Sequence, residues 1–244
     1  MKRILWFAAI ASVSLLVQTV SASVIGNMNE ANCGGGGVKV DASTITWLPP
    51  AGLGGCIDSG VGTSLTWSGA GSLGAGATGT ILNLTVGGGI VTGFMVFTGG
   101  ASPQPTQTIS FTLDSFGSAA PLTGSAGCAT ATANVGDSCS FDSTSPFILT
   151  NVGGGETSVS LVADGSVADP NALSQISYWS GSFSTQINQT PTAIYNAIIG
   201  GGSITSTQSA QFNVAVIPEP GTAAMLLIGG FLLASSARKR KRNM

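Results

Sequence analysis

Thr108-Ile109-Ser110-Phe111-Thr112-Leu113 decides the fold class, because apolar and hydroxyl side chains alternate in it without a break. Side chains on a strand point to opposite faces in turn, so Ile109, Phe111 and Leu113 are expected on a buried face and Thr108, Ser110 and Thr112 on a wet one. Leu82, Leu84 and Val86 repeat the pattern, as do Val159 and Leu161, and then Phe212, Val214 and Val216. Further strands are expected in 38–47, 64–67, 90–98, 147–150, 175–187 and 203–207. Within 175–187, Ile176 and Tyr178 give way to Trp179, Gly181, Phe183 and Thr185, a change of parity that predicts a bulge or a strand buried on both faces.

Glycine runs at 34–37, 87–89, 153–155 and 200–202 punctuate these strands. Hairpins are expected around Gly88 and Gly154. None of the runs opens a helix carrying Lys-Ser/Thr, so they read as turns and not as phosphate cradles. One short helix is predicted, with Thr190 as N-cap, Pro191 in the first turn, Ala193, Ile194, Ala197 and Ile198 on one face and Gly200 beyond the end. About ten strands with antiparallel hairpins and one helix predict an all-β, antiparallel β-sandwich over residues 23–217. A division into two domains near 99–106, around Pro103 and Pro105, is the alternative.

The chain ends read differently. Lys2-Arg3, the apolar residues 4–20 and the small residues Val20-Ser21-Ala22 have the layout of a signal peptide cut after Ala22. At the other end, Pro218-Glu219-Pro220 precedes the uncharged, largely apolar run 221–237 and the basic cluster 238–242. Seventeen residues of helix measure roughly 25 Å, the short end of a bilayer span, and the cations are expected to stay cytoplasmic. The set resembles the PEP-CTERM sorting signal of Gram-negative bacteria. The resemblance implies that an exosortase, a membrane-embedded cysteine protease, processes the tail at Pro218, Glu219 and Pro220 and passes the protein to the cell surface or the exopolysaccharide matrix. It covers 218–244 and implies a destination, not an activity.

Between the signals the charge is one-sided. Lys39 stands alone against Glu30, Asp41, Asp58, Asp114, Asp137, Asp142, Glu156, Asp164 and Asp169, one cation against nine carboxylates, for a net of −8. Such a domain cannot neutralise a phosphate backbone, which argues against nucleic acid as a partner. Ser, Thr, Asn and Gln supply the polarity instead. Cys33, Cys56, Cys128 and Cys139 allow three pairings, and proximity favours Cys33–Cys56 with Cys128–Cys139 in an oxidising compartment. Zinc has neither a Cys-x-x-Cys pair nor a histidine to hold it.

The absence of histidine also excludes a Ser-His-Asp triad. Asp137 and Asp142 flank Cys139, and Asp164 with Asp169 read as turn residues, so paired-carboxylate catalysis and calcium binding are both disfavoured. No catalytic residue, metal ligand or cofactor is expected. Trp47, Trp67, Tyr178 and Trp179 are the candidates for glycan contact by stacking, although aromatics in strands favour the core and at least two of the four are expected there. Two functions follow from these residues: a structural or adhesive protein of the surface or extracellular matrix, or a carbohydrate-binding module acting on exopolysaccharide. An exposed concave face shared by two or more of the aromatics separates the second from the first.

Overall fold

The computed structural model describes residues 23–49, 55–98, 108–117, 128, 134–141 and 145–216. The expected signal peptide (1–22), Pro218-Glu219-Pro220, the run 221–237 and the basic tail lie outside them. Among the described residues no helix is long and apolar enough to cross a membrane.

Among the described residues there are sixteen strands and one α-helix. In chain order the first ten strands are β1 (Ile25–Asn32), β2 (Gly37–Val40), β3 (Thr44–Leu48), β4 (Cys56–Ser59), β5 (Ser64–Trp67), β6 (Gly71–Gly74), β7 (Thr78–Ile81), β8 (Leu84–Thr85), β9 (Val91–Thr98) and β10 (Thr108–Phe116). After them come β11 (Ser138–Cys139), β12 (Phe147–Gly153), β13 (Glu156–Asp169), β14 (Ala172–Ile187), α1 (Pro191–Ile199), β15 (Ile204–Ser206) and β16 (Ser209–Ala215).

The strands close on themselves. Running β10-β9-β7-β4-β1-β16-β14-β13, the antiparallel ladder returns to its start because β10 pairs with β13 as well as with β9. The result is an eight-stranded barrel and not the expected sandwich. Period-two alternation specifies one dry face per strand, which a sandwich and a barrel both provide; the difference lies in whether the last edge finds a partner. Strand β13 makes closure possible by its length: its first half pairs with β12 and its second half with β10. A small sheet, β15-β2-β3-β8, packs across one end with α1 beside it.

Ile109, Phe111, Leu113, Phe212 and Val214 are all buried together, with Thr108 and Ser110 outside, as the alternation requires. Elsewhere the expectation is corrected. Leu82 is exposed and outside any strand, because the chain leaves the barrel there to enter the small sheet. The Gly87–Gly89 segment joins β8 to β9, which do not pair with each other, so it is a crossover and not a hairpin. Gly153, Gly154 and Gly155 do turn the β12–β13 hairpin, all three at positive φ. The register of β14 against β13 runs unbroken from Ile176 to Ile187. There is therefore no bulge at the parity change: Trp179 and Phe183 face inward while Ile176 and Tyr178 face out.

Helix α1 starts as expected, with Thr190 Oγ1 accepting the Ala193 N–H at 3.3 Å and Pro191 in the first turn. Its buried face is Pro191, Ile194 and Ile198; Ala193 is exposed, and Tyr195 stacks on Phe141 instead. Residues from before and after the 99–106 segment share one hydrophobic core, and the first strand pairs with the last.

Candidate functional site

Glycine opposite an aromatic ring is the device that fills the barrel interior. Gly165 of β13 faces Trp179 of β14, and Gly181 of β14 faces Phe212 of β16. A Cβ on Gly165 would stand 2.0 Å from the Thr112 carbonyl oxygen and 2.7 Å from the Trp179 ring. The missing side chain lets the indole cross over β13 and donate its Nε1–H to Thr112 of β10 at 3.0 Å. One residue thus ties three strands at the place where the barrel closes.

Three of the four candidate aromatics lie in the core, where they are out of reach of a glycan. Trp179 is 1% exposed, and Trp47 and Trp67 are also buried. Trp47, carried by β3 of the small sheet, meets Phe94 and Phe183 edge-on and plugs the end of the barrel. Trp67 lies against Gly71 across the β5–β6 hairpin. Tyr178 alone is exposed, so the four side chains share no open face. Aromatic rings are more valuable in such a core than on its surface, since burial removes a large apolar area from water.

Asp169, Asp164, Asp41 and Asp137 are each held in local hydrogen bonds. Asp169 has no exposed surface and accepts the backbone N–H of Ser68 (2.9 Å) and of Asn171 (2.8 Å), pinning the β13–β14 turn to the 3-10 turn after β5. Burial pushes its pKa up, but these hydrogen bonds together with those from the Ser68 side chain and Ala172 outweigh it and hold the carboxyl below its ordinary range. Asp164 sits within strand β13, not in a turn, and accepts from Ser115 Oγ. The two therefore do not converge on a calcium ion. Asp41 collects the N–H groups and hydroxyls of Ser43 and Thr44, which lower its pKa to about 2. Asp137 closes a turn on Asn134, and Asp142 lies outside the described residues.

Glu30 stands apart from these four. It points into the barrel beside Ala210, is almost fully buried, and takes two hydrogen bonds from Gln208 Nε2 at 2.7 and 2.9 Å. Burial drives its pKa to about 8, opposed by the Gln208 hydrogen bond and assisted by the negative charge of Asp58. At neutral pH the carboxyl is mostly protonated. Nothing in the sequence marks Glu30 as buried except its place one step along from Met28 in the period of β1. Next to it, an apolar cavity of about 50 Å³ lies between the small sheet and β12–β14, lined by Val38, Ile45, Trp47, Leu161 and Phe183. A second of about 30 Å³ continues it under α1. Trp47 Nε1 and Gln208 Oε1 have no hydrogen-bond partner. The cavity is large enough for a few waters, far short of a sugar ring.

Both expected disulfides form, Cys33–Cys56 and Cys128–Cys139, with Cα atoms 5.5 and 5.2 Å apart. Asp58 lies against the first of them, and with both thiols oxidised the trio offers no thiolate to a metal.

The outer wall of the barrel runs across β13, β14, β16 and β1. Across β13, β14 and β16 the pairing sets Ser160, Ser184 and Ser209 in one row. The next row holds Val162, Ser182 and Gln211 with Asn29 of β1, and the third Asp164, Ser180 and Asn213 with Asn27. Asn213 donates to Asn27 across the strands at 3.0 Å. A shallow depression of about 480 Å³ over Ser182, Ser184 and Gln211 adjoins one of about 370 Å³ over Ser158, Gln186 and Thr207. Hydroxyls and amides dominate, one carboxylate appears, and no aromatic ring interrupts the three rows. Sequence reading found the Ser/Thr/Asn/Gln richness but not the wall, because strand order decides which residues become neighbours.

The chain matches no protein-family model, no curated protein and no solved structure.

Proposed function

We propose that the protein is an exported structural and adhesive component of the cell surface or extracellular polysaccharide layer, processed by an exosortase through residues 218–244. The observation that carries this reading is the wall of rows rich in serine, asparagine and glutamine on β13, β14, β16 and β1. Such a wall offers many donors and acceptors at the strand spacing, each weak, and suits contact with a hydroxyl-rich polymer better than a single deep pocket would. Two disulfides in the folded domain accord with an extracytoplasmic location. The absence of histidine supports a non-enzymatic role.

A carbohydrate-binding module that stacks sugars on Trp47, Trp67 and Trp179 loses its support, since all three rings are inside. Binding to exopolysaccharide remains part of the reading through the polar wall alone.

The test is retention of the full chain in the extracellular polysaccharide fraction. Replacing Ser180, Ser184 and Gln211 together by alanine is expected to release the protein from that fraction without changing its melting temperature. Undiminished retention would remove the adhesive role. Sorting is tested separately in cells with and without exosortase. Loss of surface delivery without the enzyme, and with Pro218 and Pro220 both replaced by alanine, is expected; intact delivery would withdraw the sorting assignment.

A further inference from the structure

The fourth row of the wall breaks the pattern. Ser166 of β13 pairs with Tyr178 of β14, which pairs with Ala215 of β16. The pairing of Gly26 with Val214 brings Ile25 alongside Ala215. Beside Ser166 the outward residues of this row are apolar: Tyr178 is 48% exposed and Ile25 40%. Just beyond, on the same edge, Ile176 is 51% exposed and Leu173 75%. Four large apolar side chains thus rim one end of the barrel, while the three rows below carry a single one, Val162. Of the carboxylates on this side, Asp114 accepts from Ser166 at the β13 edge of this row, Asp164 accepts from Ser115 one row farther down, and Asp169 is buried.

Both termini of the described domain leave from this same end. Ser23 lies here, its hydroxyl bonded to that of Ser177, and β16 finishes at Ala215. Five residue steps separate Val216 from Gly221, where the apolar run begins. Whatever their conformation, they span at most about 18 Å. If the run occupies a bilayer, the rim is held within that distance of the hydrocarbon, of which the headgroup layer fills roughly 6 Å.

We propose that this rim is the seat on which the barrel rests against the lipid headgroup interface while its tail is still in the membrane. The proposal rests on the reading of residues 218–244 as a membrane-inserted tail. Four side chains are too few to bind a bilayer strongly from solution. A short tether supplies the difference by holding them at high local concentration next to the surface. Tyrosine, with an apolar ring and a polar tip, suits that depth. Once the tether is cut near Pro218-Glu219-Pro220, the seat is weak enough to release. The disulfide-bonded end of the barrel then faces away from the membrane throughout.

The chain contains two tyrosines, Tyr178 on the rim and Tyr195 on α1 at the opposite end, so fluorotyrosine labelling reports both positions at once. The full chain is reconstituted, one molecule per disc, into phosphatidylcholine nanodiscs containing lipid spin-labelled at the headgroup; Tyr195→Phe assigns the two fluorine resonances. The expected result is loss of the Tyr178 resonance and persistence of that of Tyr195. Inserting a twenty-residue Gly/Ser linker after Val216 is expected to restore Tyr178. Inserted chains with both resonances intact, or with both lost, would overturn the seat while leaving the tether standing. A chain that fails to insert into the discs would remove the tether, and the seat with it. A Tyr178 resonance that moves on dilution in unlabelled discs would assign the rim to a second copy of the chain instead.

Discussion

The interior of the barrel changes character from one end to the other. Towards the end where β1 begins, Gly165, Trp179 and Val214 fill one layer, and Gly181, Phe212 and Met28 the next. The rings there lie against backbone, and the indole hydrogen of Trp179 is satisfied. Towards the other end the layers hold Glu30, Gln208 and two apolar cavities under the small sheet. Both disulfides belong to that second end, one joining the close of β1 to β4 and the other tying β11, which pairs with β12. Dense ring-on-glycine packing holds one end, and covalent bonds hold the end where packing leaves space. The lesson is that a low-charge barrel needs no single source of stability along its length.

The comparison breaks first at Gly165. Gly165→Ala puts a methyl group into the Thr112 carbonyl and the Trp179 ring, neither of which can retreat, and is expected to cost about 3 kcal/mol or more. The denaturant midpoint of the variant checks it; near-native stability would mean that the seam between β10, β13 and β14 is looser than described. At the other end, replacing a disulfide pair by serines is expected to cost about 3 kcal/mol. The Cys33–Cys56 bridge, with a sequence separation of 23, should exceed the Cys128–Cys139 bridge, with a separation of 11, by about 0.7 kcal/mol. Equilibrium unfolding of the two double variants ranks them, and the reverse order would show that local packing outweighs loop closure.

How much of this was legible beforehand follows from the range of each signal. Alternation in 108–113 and 212–216 placed Phe111 and Phe212 in the core, because that signal is local to one strand. Thr190 and Pro191 marked the helix start for the same reason. Barrel closure was hidden, since it depends on β10 meeting β13 some fifty residues away. Which of the four candidate aromatics belong to the core was not legible, because nothing in the strand of Trp179 reveals that Gly165 makes room for it. Ile176 and Tyr178 looked like a fault in the pattern; they are the outer face of a continuous strand, turned apolar at the end where the chain leaves. The disulfides were legible because four cysteines fall into two close pairs.

Two pH effects of opposite sign sharpen the comparison further. Glu30 has its pKa raised from 4.5 to about 8, so between these values the unfolded chain ionises it while the folded chain holds the proton. Stability should fall by about 1.4 kcal/mol per pH unit over that window and level off on either side. Glu30→Gln keeps an acceptor for Gln208 and is expected to flatten the slope and gain stability at pH 8. An unchanged slope would mean that the carboxyl reaches water. Asp169 behaves in the other sense. Its lowered pKa contributes stability above the ordinary carboxylate value, and that contribution is lost as pH falls through the folded value. Asp169→Ala leaves the Ser68 and Asn171 N–H groups unpaired and is expected to cost about 2 kcal/mol at neutral pH and less in acid. Melting curves at pH 7 and pH 3 give both numbers; a cost independent of pH would show that the charge contributes nothing.

The wall, the rim and the two ends all depend on closure of the ring, and cross-strand nuclear Overhauser effects around β10 test it most directly. The account predicts contacts on both sides of that strand, from Phe111 to Met95 of β9 and from Thr112 to Ser166 of β13, with slowly exchanging amides along the shared ladders. Contacts to β9 alone, with fast exchange on the side facing β13, would contradict it and return the fold to an open sandwich.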